Sequence, residues 1–289
     1  EEWLGVVKED GRIHGKFWGI GAWTHRMSHS NPNSANIFSP FHGEPRNTVE
    51  ELKAEYDGSL RALWETDHWL VGTDAEGIQL RILAHLLENE EYAHAIVNGR
   101  KEDQTDIHNV NKRALGSVCS TRDDAKTFIY AWLLGAGIPK VSRILGCTRK
   151  DASLSVQQFV SSIDGLSKLK TVRIPSEARR GYFVGVDGRK VICDSEHLML
   201  AGHLQNGESC VMKHATRLWY EQAKVEKINF KLVNFVHDEW QTEVKDSRDA
   251  AERMGELQRN AIKQAGVDLN IKCELAGSTD IGRNWYETH

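Results

Sequence analysis

The chain has 289 residues, enough for one large domain or two modest ones, and its 40% hydrophobic and 27% charged content is ordinary for a soluble protein. The net charge of −4 lacks the overall basic surplus that phosphate binding usually produces, although basic clusters recur between residues 140 and 190. No apolar run approaches the roughly 20 residues that a membrane-spanning helix needs, so no membrane partner is expected.

The cysteines and the first residues bear on the compartment. The five cysteines are odd in number and form no CxxC pair, which predicts free thiols in a reducing cytosol rather than a zinc site or a disulfide framework. The residues Glu1-Glu2-Trp3 lack the basic and apolar regions of a signal peptide, so none is expected. A cytoplasmic protein is therefore predicted.

The first part of the chain predicts irregular structure that leads into a strand and a series of helices. Residues 15–48 are rich in Gly, Ser, Asn, His and Pro, which indicates irregular structure with short strands. Apolar spacing predicts a helix from Thr48 to Trp64, and an apolar run predicts a strand over 69–74. Helices then follow at about 77–87, 92–97, 106–114 and 121–134. The last begins at Thr121, because Thr121 and Asp124 have nearly the spacing of a capping box.

The second half of the chain alternates helices and strands. Residues 138–172 predict two helices separated by Gly146, and Asp187-Gly188 between apolar runs predicts a hairpin over 181–193. The remaining predicted elements are a helix over 197–225, strands over 230–236 and 239–244, a helix from Ser247 to Ala265 capped near Gly266, and a last strand over 271–275. The predicted fold class is therefore α/β, of the α+β kind: a small antiparallel sheet with a mostly helical insertion at about 88–200.

Two aspartates are predicted at the ends of neighbouring strands. Asp74 ends the strand over 69–74, and Asp238 lies in the turn His237-Asp238-Glu239 between two short apolar runs. Two carboxylates presented in this way can hold two Mg²⁺ ions roughly 3.5–4 Å apart, the arrangement used for in-line phosphoryl or nucleotidyl transfer. Mg²⁺ suits such a site because it prefers hard oxygen ligands and keeps waters and substrate phosphates in its shell.

A second candidate site lies on the helix predicted over 121–134. Arg122, Lys126 and Tyr130 are four residues apart and therefore project from nearly one face. Two cations and a phenol on one stripe are suited to a triphosphate tail and a flat base. By spacing alone, a solvated basic stripe is the commoner explanation of such a pattern.

Several motifs resemble those of family A DNA polymerases, the DNA polymerase I family. The run from Arg122 to Tyr130, followed by Gly135-Ala136-Gly137, resembles the nucleotide-binding fingers helix. Asp74-Ala75-Glu76-Gly77-Ile78-Gln79-Leu80-Arg81 resembles the first palm motif, and Val236-His237-Asp238-Glu239 resembles the last. Further segments match in the same order: Thr24-His25-Arg26, Asn31-Pro32-Asn33, Asp187-Gly188-Arg189-Lys190, Gln205, and the ending Gly282-Arg283-Asn284-Trp285, which is similar to that of replicative polymerases from short-tailed phages. Together these motifs span about 8–289, so chance is a poor explanation of their order.

The resemblance implies a role for each matching residue. Asp74, Asp238 and the Ala75 carbonyl would hold two Mg²⁺ ions, and Glu239 would support rather than ligate. The residues that would bind the incoming deoxynucleotide are Gln79, His108, Arg122, Lys126 and Tyr130, with Lys126 also protonating the leaving pyrophosphate. The residues that would contact primer–template DNA are Arg26, Asn33, Arg189, Gln205 and His237.

The sequence departs from the family pattern at several positions near these residues. Gln79 stands where the family usually has glutamate, which implies weaker exclusion of ribonucleotides. Leu134 replaces a tyrosine that stacks at the template base, and Ala201 replaces a template-contacting asparagine. The implied metal and triphosphate ligands are intact. We therefore expect an active but divergent polymerase.

The resemblance also implies a domain order and leaves three functions open. Residues 1–15 would end a thumb or form a linker, 16–87 and 201–289 would form the palm, and 88–200 would form the fingers. A largely missing thumb implies either a trimmed part of a longer protein or a separate chain that supplies a thumb and exonuclease. The leading function is a phage DNA polymerase core; the alternatives are a single-subunit RNA polymerase-like enzyme and a non-catalytic polymerase-like DNA-binding subunit.

Overall fold

The computed structural model describes residues 4–37 and 60–289, which form two compact units. Within the described residues, unit 1 comprises 4–37, 60–78, 208–268 and 275–289, and unit 2 comprises 79–207 and 269–274. Whether these units are the palm and fingers stays a prediction. None of the helices in the described ranges is both long enough and apolar enough to cross a membrane.

The described strands and helices have the following bounds. The strands are β1 (Lys16–Trp18), β2 (Ser28–Ser30), β3 (Glu65–Ala75), β4 (Tyr182–Val184), β5 (Lys190–Ile192), β6 (Phe230–Val236), β7 (Glu239–Val244) and β8 (Gly277–Asn284). The α-helices are Ile78–Leu87, Glu90–Val97, Ile107–Leu115, Arg122–Leu133, Ile138–Leu145, Arg149–Ser162, Leu166–Lys168, Ile174–Arg180, Glu196–Val225 and Arg248–Asp268. A π-helical stretch, Leu169–Arg173, joins two of them, and three short 3₁₀ turns lie at Leu4–Val6, Ser34–Asn36 and Gly116–Val118.

Unit 1 is built on a four-stranded antiparallel sheet in the order β6-β7-β3-β8. Its aromatic core includes Trp219 of the helix Glu196–Val225 and Trp240 of β7, whose ring centroids are 5.7 Å apart. The helix Arg248–Asp268 packs against β3 and β8. From that helix, the Gln258 side chain accepts a hydrogen bond from Thr73 Oγ1 at 2.7 Å and donates one to Thr242 Oγ1 at 2.8 Å. This bonding satisfies polar groups that would be unfavourable if buried alone.

Unit 2 is a helical unit that carries the hairpin of β4 and β5. Its core includes Phe128, Trp132 and Phe159, with the ring of Phe159 5.2 Å from Phe128 and 5.4 Å from Trp132. The helix Arg122–Leu133 begins with a complete capping box, in which Thr121 and Asp124 bond to each other's main chain. The capping box fixes the first turn of the helix Arg122–Leu133, and the rings of Phe128 and Trp132 pack the rest of it against Phe159 within unit 2.

Most of the predicted elements are confirmed. The mixed fold with a small antiparallel sheet is present, and the strands predicted over 230–236 and 239–244 have those bounds. The strand predicted over 69–74 is longer, the hairpin lies at 182–192, and the capping box is as predicted. The helix predicted from Thr48 to Trp64 lies largely outside the described residues, and residues 60–62 at its end are helical.

Three predicted boundaries are wrong. The last strand is not 271–275 but β8, a polar sequence that lacks apolar alternation and obtains its strand structure by pairing with β3. The final helix does not end near Gly266 but continues to Asp268; a Cβ at Gly266 would lie 2.8 Å from Leu275 Cγ, so this glycine permits close packing. Residues 138–172 contain a further break after Ser162, where a new helical segment begins at Leu166.

We predict that Gly72→Ala destabilises the protein. A Cβ at Gly72 in β3 would overlap the Thr288 carbonyl oxygen and lie 2.6 Å from Gln241 Nε2. Overpacking of this kind costs about 1–3 kcal/mol. Urea unfolding of the variant should show that loss. Gly19→Ala is the control, because no atom lies within 4 Å of a Cβ there, and an equal stability of the two variants would contradict the prediction.

Candidate functional site

Asp74 and Asp238 meet at one end of the unit 1 sheet. In the antiparallel pairing of β3 with β7, Asp74 lies opposite Glu239. Asp238 lies in the two-residue turn between β6 and β7, where the preceding His237 adopts a φ of 54°. A positive φ at the first turn position matches the twist of a tight hairpin. The Asp238 carbonyl accepts a hydrogen bond from the Ala75 N–H at 3.0 Å, which ties the turn to the end of β3.

Both aspartates are half-buried and electrostatically disfavoured as anions. Burial and then the charge of Glu239 raise the pKa of Asp74 to about 7. Burial raises the pKa of Asp238 well above its ordinary value, with further contributions from the charges of Glu208 and Asp74. Repulsion between carboxylates favours their neutral forms, whereas a bound cation would favour both anions.

Glu239 is held by donors from within the protein. Trp285 Nε1 donates to Glu239 Oε1 at 2.5 Å, and Gln241 Nε2 donates to the same oxygen at 2.6 Å. His289 Nδ1 lies 2.9 Å from Oε2. Although burial opposes the charged form, the bonds from His289 and Gln241 lower the pKa of Glu239. Both of its carboxylate oxygens therefore already have partners.

A further carboxylate, Glu208, lies beside this cluster and pairs with Arg26. Nη2 of Arg26 donates to Oε2 of Glu208 at 2.6 Å, and the Glu208 side chain is fully buried. Sequence reasoning missed Glu208. A charged residue among the apolar positions of a helix is the signal that indicates it.

These residues fit a hard divalent cation. The described parts of the chain contain no cluster of three or more His, Cys, Asp or Glu side chains arranged for a metal ion. The two half-buried aspartates at one end of the sheet suit Mg²⁺, which is often held by one or two carboxylates and completed by waters and substrate phosphates.

The stripe on the helix Arg122–Leu133 begins with an anchored arginine. Asp106 accepts hydrogen bonds from Arg122 Nε at 2.9 Å and from Arg122 Nη2 at 2.6 Å. Lys126 is exposed, and Tyr130 is partly exposed. Asp106 is a second residue that sequence reasoning missed, although it lies only two positions before His108, to which the resemblance gives a role.

His108 belongs to the same group of unit 2 residues. Its ring centroid lies 6.1 Å from that of Tyr130, and its buried Nδ1 has no hydrogen-bond partner among the described residues. Burial and the positive charge of Arg122 lower the pKa of His108 to about 4. His108 is therefore neutral near pH 7 and offers a polar atom without adding positive charge.

The other predicted site residues have varied surroundings within their own units. In unit 1, the Asn33 side chain accepts a hydrogen bond from the Ala35 N–H, and His237 is exposed. In unit 2, Arg189 pairs with Asp187 in the β4–β5 hairpin, and Gln79 and Gln205 are partly exposed. The structure thus brings Asp74 and Asp238 together in unit 1, and Arg122 and His108 together around Asp106 in unit 2.

Comparisons with known proteins agree with this architecture. The sequence model of DNA polymerase family A matches residues 2–287. The chain is 32% identical over 317 residues to a protein named DNA-directed DNA polymerase from Enterobacteria phage T3, and the same holds for Escherichia phage T7. Each alignment covers 99% of this chain and 42% of the relative. A solved structure described as the POL domain of Pol1 from M. smegmatis, in complex with DNA primer-template and dNTP, has a TM-score of 0.81 at 20% identity, covering 99% of this chain and 50% of that one.

The matched residues define the class of this protein. The chain has a polymerase-type fold and carries two aspartates at the end of an antiparallel sheet. Its sequence is matched along nearly the whole length by the model of one family. The chain belongs to DNA polymerase family A. It spans less than half the length of the phage relatives, 42% of each.

We predict that His108 titrates near pH 4 and that Arg122→Gln raises its pKa. Removing a nearby cation favours the imidazolium form, so the pKa moves towards 6.5. NMR titration of the His108 ring measures this shift. Because the unfolded chain binds a proton between these pKa values and the folded one does not, His108 also lowers stability as the pH falls from 6.5 towards 4.

The control is Arg143→Gln, which removes an exposed arginine from another helix. A His108 pKa that responds equally to both substitutions would contradict the assignment to Arg122.

Proposed function

We propose that this chain carries the nucleotidyl-transfer site of a DNA-directed DNA polymerase. It would add deoxynucleotides to a primer 3′-hydroxyl under the direction of a template and release pyrophosphate. The observation that carries the proposal is the pair Asp74 and Asp238, half-buried at one end of the sheet and mutually repulsive in a family A chain. The names of the phage relatives, and the DNA and dNTP in the M. smegmatis complex, support this reaction and these partners.

Asp74, Asp238 and the Ala75 carbonyl would hold two Mg²⁺ ions. When bound, such ions lower the pKa of an attacking hydroxyl and stabilise charge on a departing phosphate. The chain's own contribution is to fix both carboxylates on a rigid strand and a short turn, so that little reorganisation is needed. Glu239 would support this geometry through Trp285 and His289 rather than act as a ligand.

The unit 2 residues would bind the nucleotide. Arg122 and Lys126 would hold the triphosphate, and Lys126 would donate a proton to the leaving pyrophosphate. His108, neutral and with an unsatisfied buried nitrogen, would hydrogen-bond a phosphate oxygen. Tyr130 would lie against the incoming sugar.

The primer–template would be bound by Arg26, Asn33, Arg189, Gln205 and His237. Contacts of Arg26 and Gln205 near the minor groove would sense duplex shape with little dependence on sequence. Because phage proteins are among the relatives, we place the activity in phage DNA replication in the host cytoplasm. A separate or preceding segment that supplies a thumb or exonuclease is part of the proposal, because phosphate contacts provide much of the affinity for DNA.

We predict that Asp238→Asn abolishes Mg²⁺-dependent primer extension. Loss of one of two ligating carboxylates should lower kcat by at least about a thousandfold, equivalent to roughly 4 kcal/mol of barrier. Gel-based extension of a primed template by the full chain, with and without a thumb-bearing segment, measures this effect. Asp249→Asn, at an exposed position on a helix of unit 1, is the matched control.

The outcomes separate the competing functions. Extension by the control but not by Asp238→Asn supports the proposal. Extension with ribonucleotides in preference to deoxynucleotides would favour an RNA polymerase-like enzyme. Absence of extension by the wild type under both conditions would favour a non-catalytic DNA-binding subunit.

We predict that Gln79→Glu increases discrimination against ribonucleotides. Glutamine keeps the length of the family's usual glutamate but lacks its charge, so exclusion of a ribose 2′-hydroxyl should be weaker in the wild type. The ratio of kcat/KM for a dNTP and its matching rNTP measures this selectivity. Equal ratios for wild type and Gln79→Glu would contradict the prediction.

A further inference from the structure

Glu208 is a buried carboxylate to which the proposed chemistry gives no role. It lies on the 30-residue helix Glu196–Val225, and its side chain is fully buried. Burial of a carboxylate is unfavourable unless the charge is paired. Nη2 of Arg26, a largely buried side chain itself, lies 2.6 Å from Oε2 of Glu208 and supplies that charge.

The same helix also holds the main chain next to Arg26. The Ser209 hydroxyl donates to the His25 carbonyl at 2.7 Å, and the Lys213 ammonium donates to the same oxygen. His25 adopts a φ of 65°, which is uncommon for a residue with a side chain. One helix therefore fixes both the backbone that precedes Arg26 and the guanidinium at the tip of its side chain.

The Arg26–Glu208 pair acts on the aspartate cluster. The charge of Glu208 raises the pKa of Asp238 and of Asp74, whereas the charge of Arg26 lowers the pKa of Asp238. The hydrogen bond from Arg26 Nη2 to Glu208 gives the guanidinium a fixed partner within unit 1.

We propose that Glu208 is a positioning residue, which orients the Arg26 guanidinium for the primer terminus. The inference rests on the proposed function, in which Arg26 contacts the primer–template. It adds a residue that acts through Arg26 and does not itself touch DNA or metal.

The first test is steady-state primer extension by Glu208→Gln, which keeps the side-chain size and removes the charge. Loss of a charge-assisted hydrogen bond should raise KM for primer–template about tenfold, with kcat changed less than about threefold. Glu221→Gln, an exposed position on the same helix, is the matched control. A KM for primer–template equal to that of the control would overturn the inference.

A second test asks whether Glu208 acts through Arg26. A primer that ends in 3-deazaguanine lacks the minor-groove N3 acceptor of a purine, so it removes the contact that Arg26 would make. The wild type should lose efficiency with this primer, and Glu208→Gln should lose little more. If the loss of efficiency caused by the modified primer is as large in Glu208→Gln as in the wild type, the two effects are independent and the inference is overturned.

Further measurements cover the cases in which the first tests fail. Glu208→Asp keeps the charge with a shorter reach; if Glu208→Gln does not fold by circular dichroism, an unchanged KM in the folded Asp variant overturns the inference. If the wild type does not extend primers, the proposed function fails. Fluorescence-polarisation binding of labelled primer–template then tests the positioning role. An unchanged Kd in Glu208→Gln would overturn that role. If the Gln variant does not fold, an unchanged Kd in Glu208→Asp would overturn it.

Discussion

The pairing of β3 with β7 places Asp74 opposite Glu239 and brings the Asp238 turn to the same end of the sheet, so that like charges must share a small region of low dielectric. The protein provides hydrogen-bond and charge partners for some of these carboxylates and not to the same extent for the others. Glu239 receives hydrogen bonds or close contacts from three side chains, and Glu208 receives Arg26. The two aspartates keep raised pKa values, which makes them the carboxylates that gain most from a cation.

This charge distribution depends on a polar interior behind it. All six residues of β7 are buried, and four of them are polar: Glu239, Gln241, Thr242 and Glu243. Gln258 bonds Thr242, Thr288 bonds Gln241, and Arg12 and Thr66 bond Glu243. A one-residue slip of β7 would break these bonds together and exchange the faces of its side chains. The register that presents Asp238 is therefore specified by hydrogen bonds as well as by apolar packing.

The sequence predicted what periodicity, turns and short motifs encode. The capping box at Thr121, the hairpin over 182–192 and the two strands around Asp238 follow from local patterns. β8 could not be predicted from local patterns, because this polar strand is stabilised by pairing with β3 rather than by its own composition. Glu208 and Asp106 were missed for a related reason: each acts on an arginine that is distant in sequence, Arg26 or Arg122. The roles of the predicted site residues stay predictions.

The ion pair between Arg122 and Asp106 has a consequence for turnover in the proposed polymerase. If Arg122 held a triphosphate there, the phosphate would have to compete with Asp106, which already accepts two hydrogen bonds from the guanidinium. The same internal anion would be available to Arg122 again once pyrophosphate had left.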